Sequence, residues 1–179
     1  KIMLDELERD FGIVVEQGWG MTELSPVGTL GQLEPEMADI GEPRRSQMKL
    51  AQGRRMWGVE MKIVDDAGQR LPHDGVAFGE LCVRGAWVAS GYYENAEASR
   101  RLIDAEGWLR TGDIARIDAE GFMSIVDRAK DLVKSGGEWI SSVDLENIAL
   151  QAPGVGVAAV IGIADAKWGE RPLLVVEPA

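Results

Sequence analysis

A hydroxyl and a carboxylate stand side by side at Thr22 and Glu23, directly behind the glycine-spaced run Gly18-Trp19-Gly20-Met21. Glycines let a backbone approach a flat ligand closely, and an indole offers a stacking face. A hydroxyl beside a carboxylate can hold a magnesium ion and phosphate oxygens. The same run also reads as an ordered loop after a strand, with Trp19 in a core. Further along, Thr111-Gly112-Asp113 sets a carboxylate at what reads as a turn. There it can accept charge-assisted hydrogen bonds from both hydroxyls of a ribose, although so short a string is common in ordinary turns. Asp127-Arg128-Ala129-Lys130-Asp131 reads as an exposed charged connector, and Lys134 precedes the glycine loop Ser135-Gly136-Gly137-Glu138.

The elements that must position these groups change character along the chain. Ile2, Leu4, Leu7 and Phe11 form a helical stripe ended by Gly12, and Ile13-Val14-Val15-Glu16 reads as a short buried strand delivering the first motif to its end. In open α/β sheets, ligands bind at such strand ends. Between about residues 57 and 127 the period is two: Val59, Met61 and Ile63 alternate with Glu60 and Lys62 before the turn Asp65–Gly68. A second strand runs over Gly79–Gly85, and a helix over about 96–104 is capped by Asn95, with Gly107 beyond its end. Ile114–Ile117 and Phe122–Val126 form a hairpin around Asp118-Ala119-Glu120-Gly121. Ser141 and Asp144 begin a helix in capping-box fashion, Leu145, Ile148 and Ala149 give it an apolar face, and Pro153-Gly154 stops it. Val155–Ile163 is an apolar strand, and another begins at Pro172-Leu173-Leu174-Val175-Val176.

Composition excludes several classes of function. The net charge is −11, from 30 acidic and 19 basic residues, which opposes the counterion-displacing basic surface of a nucleic-acid binder. No apolar run approaches the length of a membrane helix, which leaves peripheral membrane contact open. The single cysteine, Cys82, cannot form an internal disulfide, so a cytoplasmic, soluble protein is the expectation. With one histidine, His73, there is neither a zinc cluster nor a histidine-based triad. Gly154-Val155-Gly156-Val157-Ala158-Ala159 matches the loose dinucleotide fingerprint, but it follows a helix and opens a strand, the reverse of what that fingerprint needs.

Taken in order, Trp19-Gly20-Met21-Thr22-Glu23, Thr111-Gly112-Asp113 and Asp127–Glu138 resemble the core signatures of adenylate-forming enzymes. That superfamily comprises acyl-CoA synthetases, peptide-synthetase adenylation domains and luciferases. Trp19 with the trailing Leu24-Ser25-Pro26 is most similar to medium- and long-chain fatty-acyl-CoA ligases, and Gly53-Arg54 and Lys167–Pro172 also look like acyl-CoA ligase sequence. The resemblance implies a nucleotide site of Gly18, Trp19, Gly20, Met21, Thr22, Asp113 and Arg128. Trp19 would lie against adenine, Thr22 near the α-phosphate, Glu23 on magnesium, and Asp113 and Arg128 on the ribose. Thr22, Glu23 and Lys134 would be the catalytic residues. Lys130 would be the hinge about which a C-terminal domain rotates between two half-reactions, and Ser135, Gly136, Gly137 and Glu138 the loop facing the CoA tunnel.

The implied architecture mixes α/β and α+β folding. Residues 1–40 would end an N-terminal α/β nucleotide-binding subdomain, and 41–126 would form a β-rich, distorted-barrel subdomain. Residues 127–131 would be the hinge and 132–179 a truncated C-terminal lid. The implied chemistry uses ATP and CoA as co-substrates with Mg2+, and a fatty acid as the carboxylate. Two family parts are not found, a Ser/Thr/Gly-rich phosphate loop and a late adenylation lysine, so the expectation is a fragment inactive alone. Two alternatives stand beside this reading. One is a peptide-synthetase adenylation domain, which Met21 opposes because those enzymes typically show Gly-Pro-Thr-Glu. The other is a non-catalytic remnant that binds nucleotide or offers an interaction surface.

Overall fold

The computed structural model describes residues 2–32, 35–37 and 39–179, without the side chains of Ile2 and Glu36. The chain divides into two compact units, one of residues 1–111 and 115–125, the other of 112–114 and 126–179. It is a mixed α/β chain rich in sheet.

In the first unit, helix α1 (Ile2–Phe11) stops at Gly12, whose φ of 65° suits a residue without Cβ. The stripe read from the sequence is half-buried at Leu4 and Leu7, Phe11 is exposed, and the Ile2 side chain lies outside the described residues. Residues 12–17 carry no strand, contrary to expectation, and Ile13 and Val14 are 50% and 66% exposed. An apolar run becomes a strand only where a neighbour accepts its backbone bonds, and no described strand pairs with this one. The ladder begins instead at β1 (Gly18–Gly20), followed by β2 (Val27–Leu30) and, after helix α2 (Arg44–Leu50), by β3 (Gly53–Arg55).

Strands β4 (Val59–Val64) and β5 (Phe78–Gly85) pair antiparallel, with Met61 opposite Val83 and Ile63 opposite Leu81. The expected alternation holds in β4, where Val59, Met61 and Ile63 are buried. Asn95 caps α3 (Ala96–Leu102), its Oδ1 accepting from Ala98 N at 3.0 Å. The helix ends two residues earlier than expected, because Ile103 leaves it to bridge Leu109. β6 (Leu109–Ile117) and β7 (Phe122–Arg128) turn at Asp118, whose Oδ1 accepts from Glu120 N and Phe122 N. The sheet order is β1-β2-β3-β7-β6-β5-β4. Its core gathers Leu24, Val59, Ile63, Leu81, Val83, Leu109 and Met123, each side chain contributing about 1.5–3 kcal/mol through burial. A separate cluster of Met48, Ala51 and Phe122 seats α2.

The second unit carries a four-stranded sheet of order β10-β11-β8-β9. Its strands are β8 (Val133–Ser135), β9 (Glu138–Ile140), β10 (Val155–Asp165) and β11 (Gly169–Pro178). Gly136 and Gly137, at φ 60° and 86°, make the two-residue hairpin between β8 and β9, a geometry that demands left-handed backbone at both positions. Helix α4 (Ser142–Ala149) starts as expected, Ser141 Oγ accepting from Asp144 N at 3.1 Å. Its Ile148 is exposed rather than packed. The β10–β11 turn is closed by Asp165 Oδ1, which accepts from Lys167 N and Trp168 N at 2.8 Å each.

Candidate functional site

In the first unit the Gly18–Glu23 motif is a strand and a turn rather than a loop behind a strand. Trp19 pairs with Thr29 across β1 and β2, and a bulge separates Trp19 from Gly20. Trp19 N donates to Thr29 Oγ1 at 3.1 Å, and that hydroxyl donates to Gln52 O at 2.5 Å. A Cβ on Gly28 would lie 2.5 Å from the Trp19 ring, so the indole packs closely against bare backbone. A Cβ on Gly20 would lie 1.9 Å from Pro26 O, so the chain doubles back there only without a side chain. Met21 packs on the core, and Thr22–Leu24 form one 3₁₀ turn anchored by fully buried Leu24. That anchor leaves Thr22 exposed and Glu23 half-buried.

Glu23 is held from one neighbouring segment. Tyr92 OH donates to Glu23 Oε1 at 2.6 Å, and Ala89 N donates to Glu23 O at 2.7 Å. Donating to the carboxylate pushes the Tyr92 phenol above its ordinary pKa, with burial and the Glu23 charge adding to the effect. Among the described residues no three His, Cys, Asp or Glu side chains converge as a metal cage. A single carboxylate whose second oxygen accepts no hydrogen bond from the described residues fits an ion that completes its octahedron with water and substrate phosphates, as magnesium does. Two cavities of this unit, about 400 and 620 Å3, lie around Arg44 and Arg116 and around Arg54–Trp57. Neither is lined by Thr22 or Glu23.

In the second unit, Asp113 and Arg128 come together. Thr111-Gly112-Asp113 lies inside β6 rather than at a turn, with Gly112 at φ 73°. Ala129 N donates to Gly112 O at 2.8 Å, and Arg128 Nη1 stands 2.9 Å from Asp113 Oδ1. The expected exposed connector is exposed only in part. Asp127 is buried, its Oδ2 accepting from Ser142 N at 2.6 Å and Ser142 Oγ at 2.9 Å. Lys130 remains on the surface. Lys134 lies opposite Trp139, its Nζ 4.8 Å from the ring centroid. Gly136 N donates to Trp168 O at 2.8 Å, and a Cβ on Gly136 would lie 2.7 Å from the Trp168 ring. The glycine loop is therefore built on an indole.

Tyr92, Gly28, Asp127 and Trp168 were not singled out from sequence as site residues. Each acts through a partner outside its own turn, which local spacing does not reveal; Asp127 and Trp168 stand within strings read above, Tyr92 and Gly28 in none.

With this geometry in place, the comparisons give the class: residues 2–93 match the family of AMP-binding enzymes, and the chain belongs to that family. Over 177 residues it is 46% identical to the 3-methylmercaptopropionyl-CoA ligase of Ruegeria pomeroyi, covering 99% of this chain and 32% of the relative. The medium-chain-fatty-acid–CoA ligase of Ectopseudomonas oleovorans is 47% identical over 97% of this chain and 31% of its own length. Among solved structures, the o-succinylbenzoate CoA synthetase of Bacillus subtilis, in complex with its acyl-adenylate intermediate, superposes with a TM-score of 0.78 at 32% identity. That match covers 99% of this chain and 34% of the synthetase. The chain thus spans about a third of the length of the relatives it matches.

Proposed function

We propose that the protein carrying this sequence is an AMP-forming acid–thiol ligase that activates a fatty-acid carboxylate with MgATP and passes the acyl group to CoA in the cytoplasm. The observation that carries the reading is the Asp113–Arg128 pair, a buried carboxylate and an exposed guanidinium held 2.9 Å apart. Such a pair suits the hydroxyls of a ribose, the carboxylate as acceptor and the cation as donor. Family membership and the names of the relatives support the same class.

In the first half-reaction the substrate carboxylate oxygen attacks the α-phosphorus of ATP. An oxygen–phosphorus bond forms, the bond to pyrophosphate breaks, and an acyl-adenylate results. In the second, the CoA sulfur attacks the acyl carbonyl carbon, AMP leaves, and the thiol proton passes to solvent. Trp19, with Gly18, Gly20 and Met21, would line the adenine, and the exposed Thr22 hydroxyl would orient the α-phosphate. Magnesium, when bound, offsets phosphate charge, and Glu23 is the residue to hold it. Lys130, on the 127–131 connector, would be the hinge between the 41–126 subdomain and the 132–179 lid. Ser135-Gly136-Gly137-Glu138, with Lys134 beside it, would face the incoming thiol.

The test supplies ATP, CoA and a series of acids to the protein and quantifies AMP, pyrophosphate and thioester. The series runs from 3-methylmercaptopropionate through medium- to long-chain fatty acids. Turnover greatest with a fatty acid is expected. Adenylation of amino acids instead would move the protein to the peptide-synthetase class, and AMP release with no acid would overturn the reading.

A further inference from the structure

We propose that Tyr92 is a positioning residue for Glu23, its hydroxyl holding one carboxylate oxygen so that the other is aimed at the metal on the nucleotide phosphates. This rests on the reading of Glu23 as the magnesium-holding residue. The bond is 2.6 Å from Tyr92 OH to Glu23 Oε1. It does not stand alone, because the segment that carries Tyr92 grips the same 3₁₀ turn twice more. Ala89 N donates to Glu23 O at 2.7 Å, and Ser25 Oγ donates to Trp87 O at 3.1 Å. The tyrosine is itself moored to α3, its N–H donating to Ser99 Oγ at 2.8 Å, while that hydroxyl donates to Asn95 O at 2.7 Å. The adjacent Tyr93 is 91% exposed against 44% for Tyr92, so Tyr92 is the more covered of the two neighbours.

The physical consequence concerns preorganisation. A glutamate side chain gives up rotamer freedom when it binds an ion, and magnesium tolerates little departure from octahedral geometry. A hydrogen bond that selects one carboxylate orientation beforehand removes part of that entropy loss from the binding step. Groups that orient a metal-binding carboxylate commonly change metal affinity by about 10–100-fold. Water can reach the partly exposed Tyr92 and replace some of its effect, so about three- to tenfold is expected here.

The experiment measures Mn2+ binding to the nucleotide-loaded protein by paramagnetic resonance, alongside nucleotide binding in chelator. Tyr92→Phe should weaken Mn2+ binding about three- to tenfold, with metal-free nucleotide affinity and the melting temperature unchanged. Ser99→Ala, which keeps the phenol but loosens its mooring, should shift Mn2+ affinity the same way by less. An unchanged Mn2+ affinity in Tyr92→Phe, with Glu23→Gln clearly weakened, overturns the positioning role and leaves the Glu23 reading intact. If Glu23→Gln is silent as well, both fall together.

Discussion

Arg128 and Asp113 form an ion pair at 2.9 Å whose partners live in different surroundings, the carboxylate side chain 9% exposed and the guanidinium 60% exposed. The backbone enforces the pairing, because the Ala129 N–H bond to Gly112 O at 2.8 Å draws the end of β7 against the left-handed residue of β6. A carboxylate so enclosed keeps one orientation, while the arginine is free to follow a ligand. Asp113→Ala should therefore weaken AMP binding by about tenfold or more, the loss of a charge-assisted bond pair. Arg128→Ala should weaken it only a few-fold, since an exposed ion is worth little. Calorimetric titration with AMP checks the order of the two effects, and a larger loss from Arg128→Ala would reverse the assignment.

Asp127 ties the end of β7 to the first turn of α4 through Ser142 N and Oγ. Removing it leaves a buried N–H and hydroxyl without their acceptor, at a cost of about 1–3 kcal/mol. Asp127→Ala should lower the urea midpoint accordingly. Asp127→Asn, which keeps one acceptor oxygen, should lose less.

Gly20 is packed where its Cβ would sit 1.9 Å from Pro26 O. The obstacle is backbone, which cannot swing aside as a side chain does. Gly20→Ala should destabilise by roughly 2 kcal/mol or more and splay β1 from β2. A loss below about 0.5 kcal/mol, the range of ordinary surface substitutions, would show that the bulge beside Trp19 relaxes freely.

Cys82, 2% exposed in β5, has its thiol pushed from an ordinary 9.0 up to about 11, chiefly by burial and then by the charge of Glu80. The folded state therefore favours the protonated thiol. Its contribution to stability is complete below the unfolded value of 9.0 and disappears as pH rises to about 11. The stability gap between the native protein and Cys82→Ala should narrow over that interval in urea titrations. Alkylation of Cys82 at pH 9 should be slow until urea unfolds the first unit.

Lys130 is exposed in the turn after β7. Under the proposed two-step mechanism, Lys130→Pro stiffens the connector at φ and restricts Ala129 before it. Acyl-adenylate formation should be spared and thioester formation slowed, as followed by pyrophosphate release and acyl-CoA yield. Equal loss of both half-reactions would remove the hinge role from this residue.

Much of the local structure was legible in the residues. Asn95 before an alanine-rich turn, Ser141 three residues ahead of Asp144 and the alternation from Val59 to Ile63 each state a backbone preference that their neighbours do not contradict. The misreadings share a different origin. Ile13–Glu16 is apolar enough for a strand but lacks a described ladder partner, and Thr111-Gly112-Asp113 has turn composition yet lies inside β6 because its neighbours are held in the sheet. Propensity belongs to the segment, whereas pairing belongs to its surroundings.

The same division separates the chemistry from its geometry. Residue types and order were sufficient to name the family, because Trp19–Glu23, Asp113 and Arg128–Glu138 keep their chemical character wherever they are placed. What holds those groups came only from the fold: Gly28 against the Trp19 ring, Tyr92 on Glu23, Asp127 on Ser142 and Trp168 against Gly136. These contacts join residues well separated along the chain, and a hydrogen bond or a packed face depends on distance in space. Spacing along a sequence fixes such distances only within one helix turn or one strand.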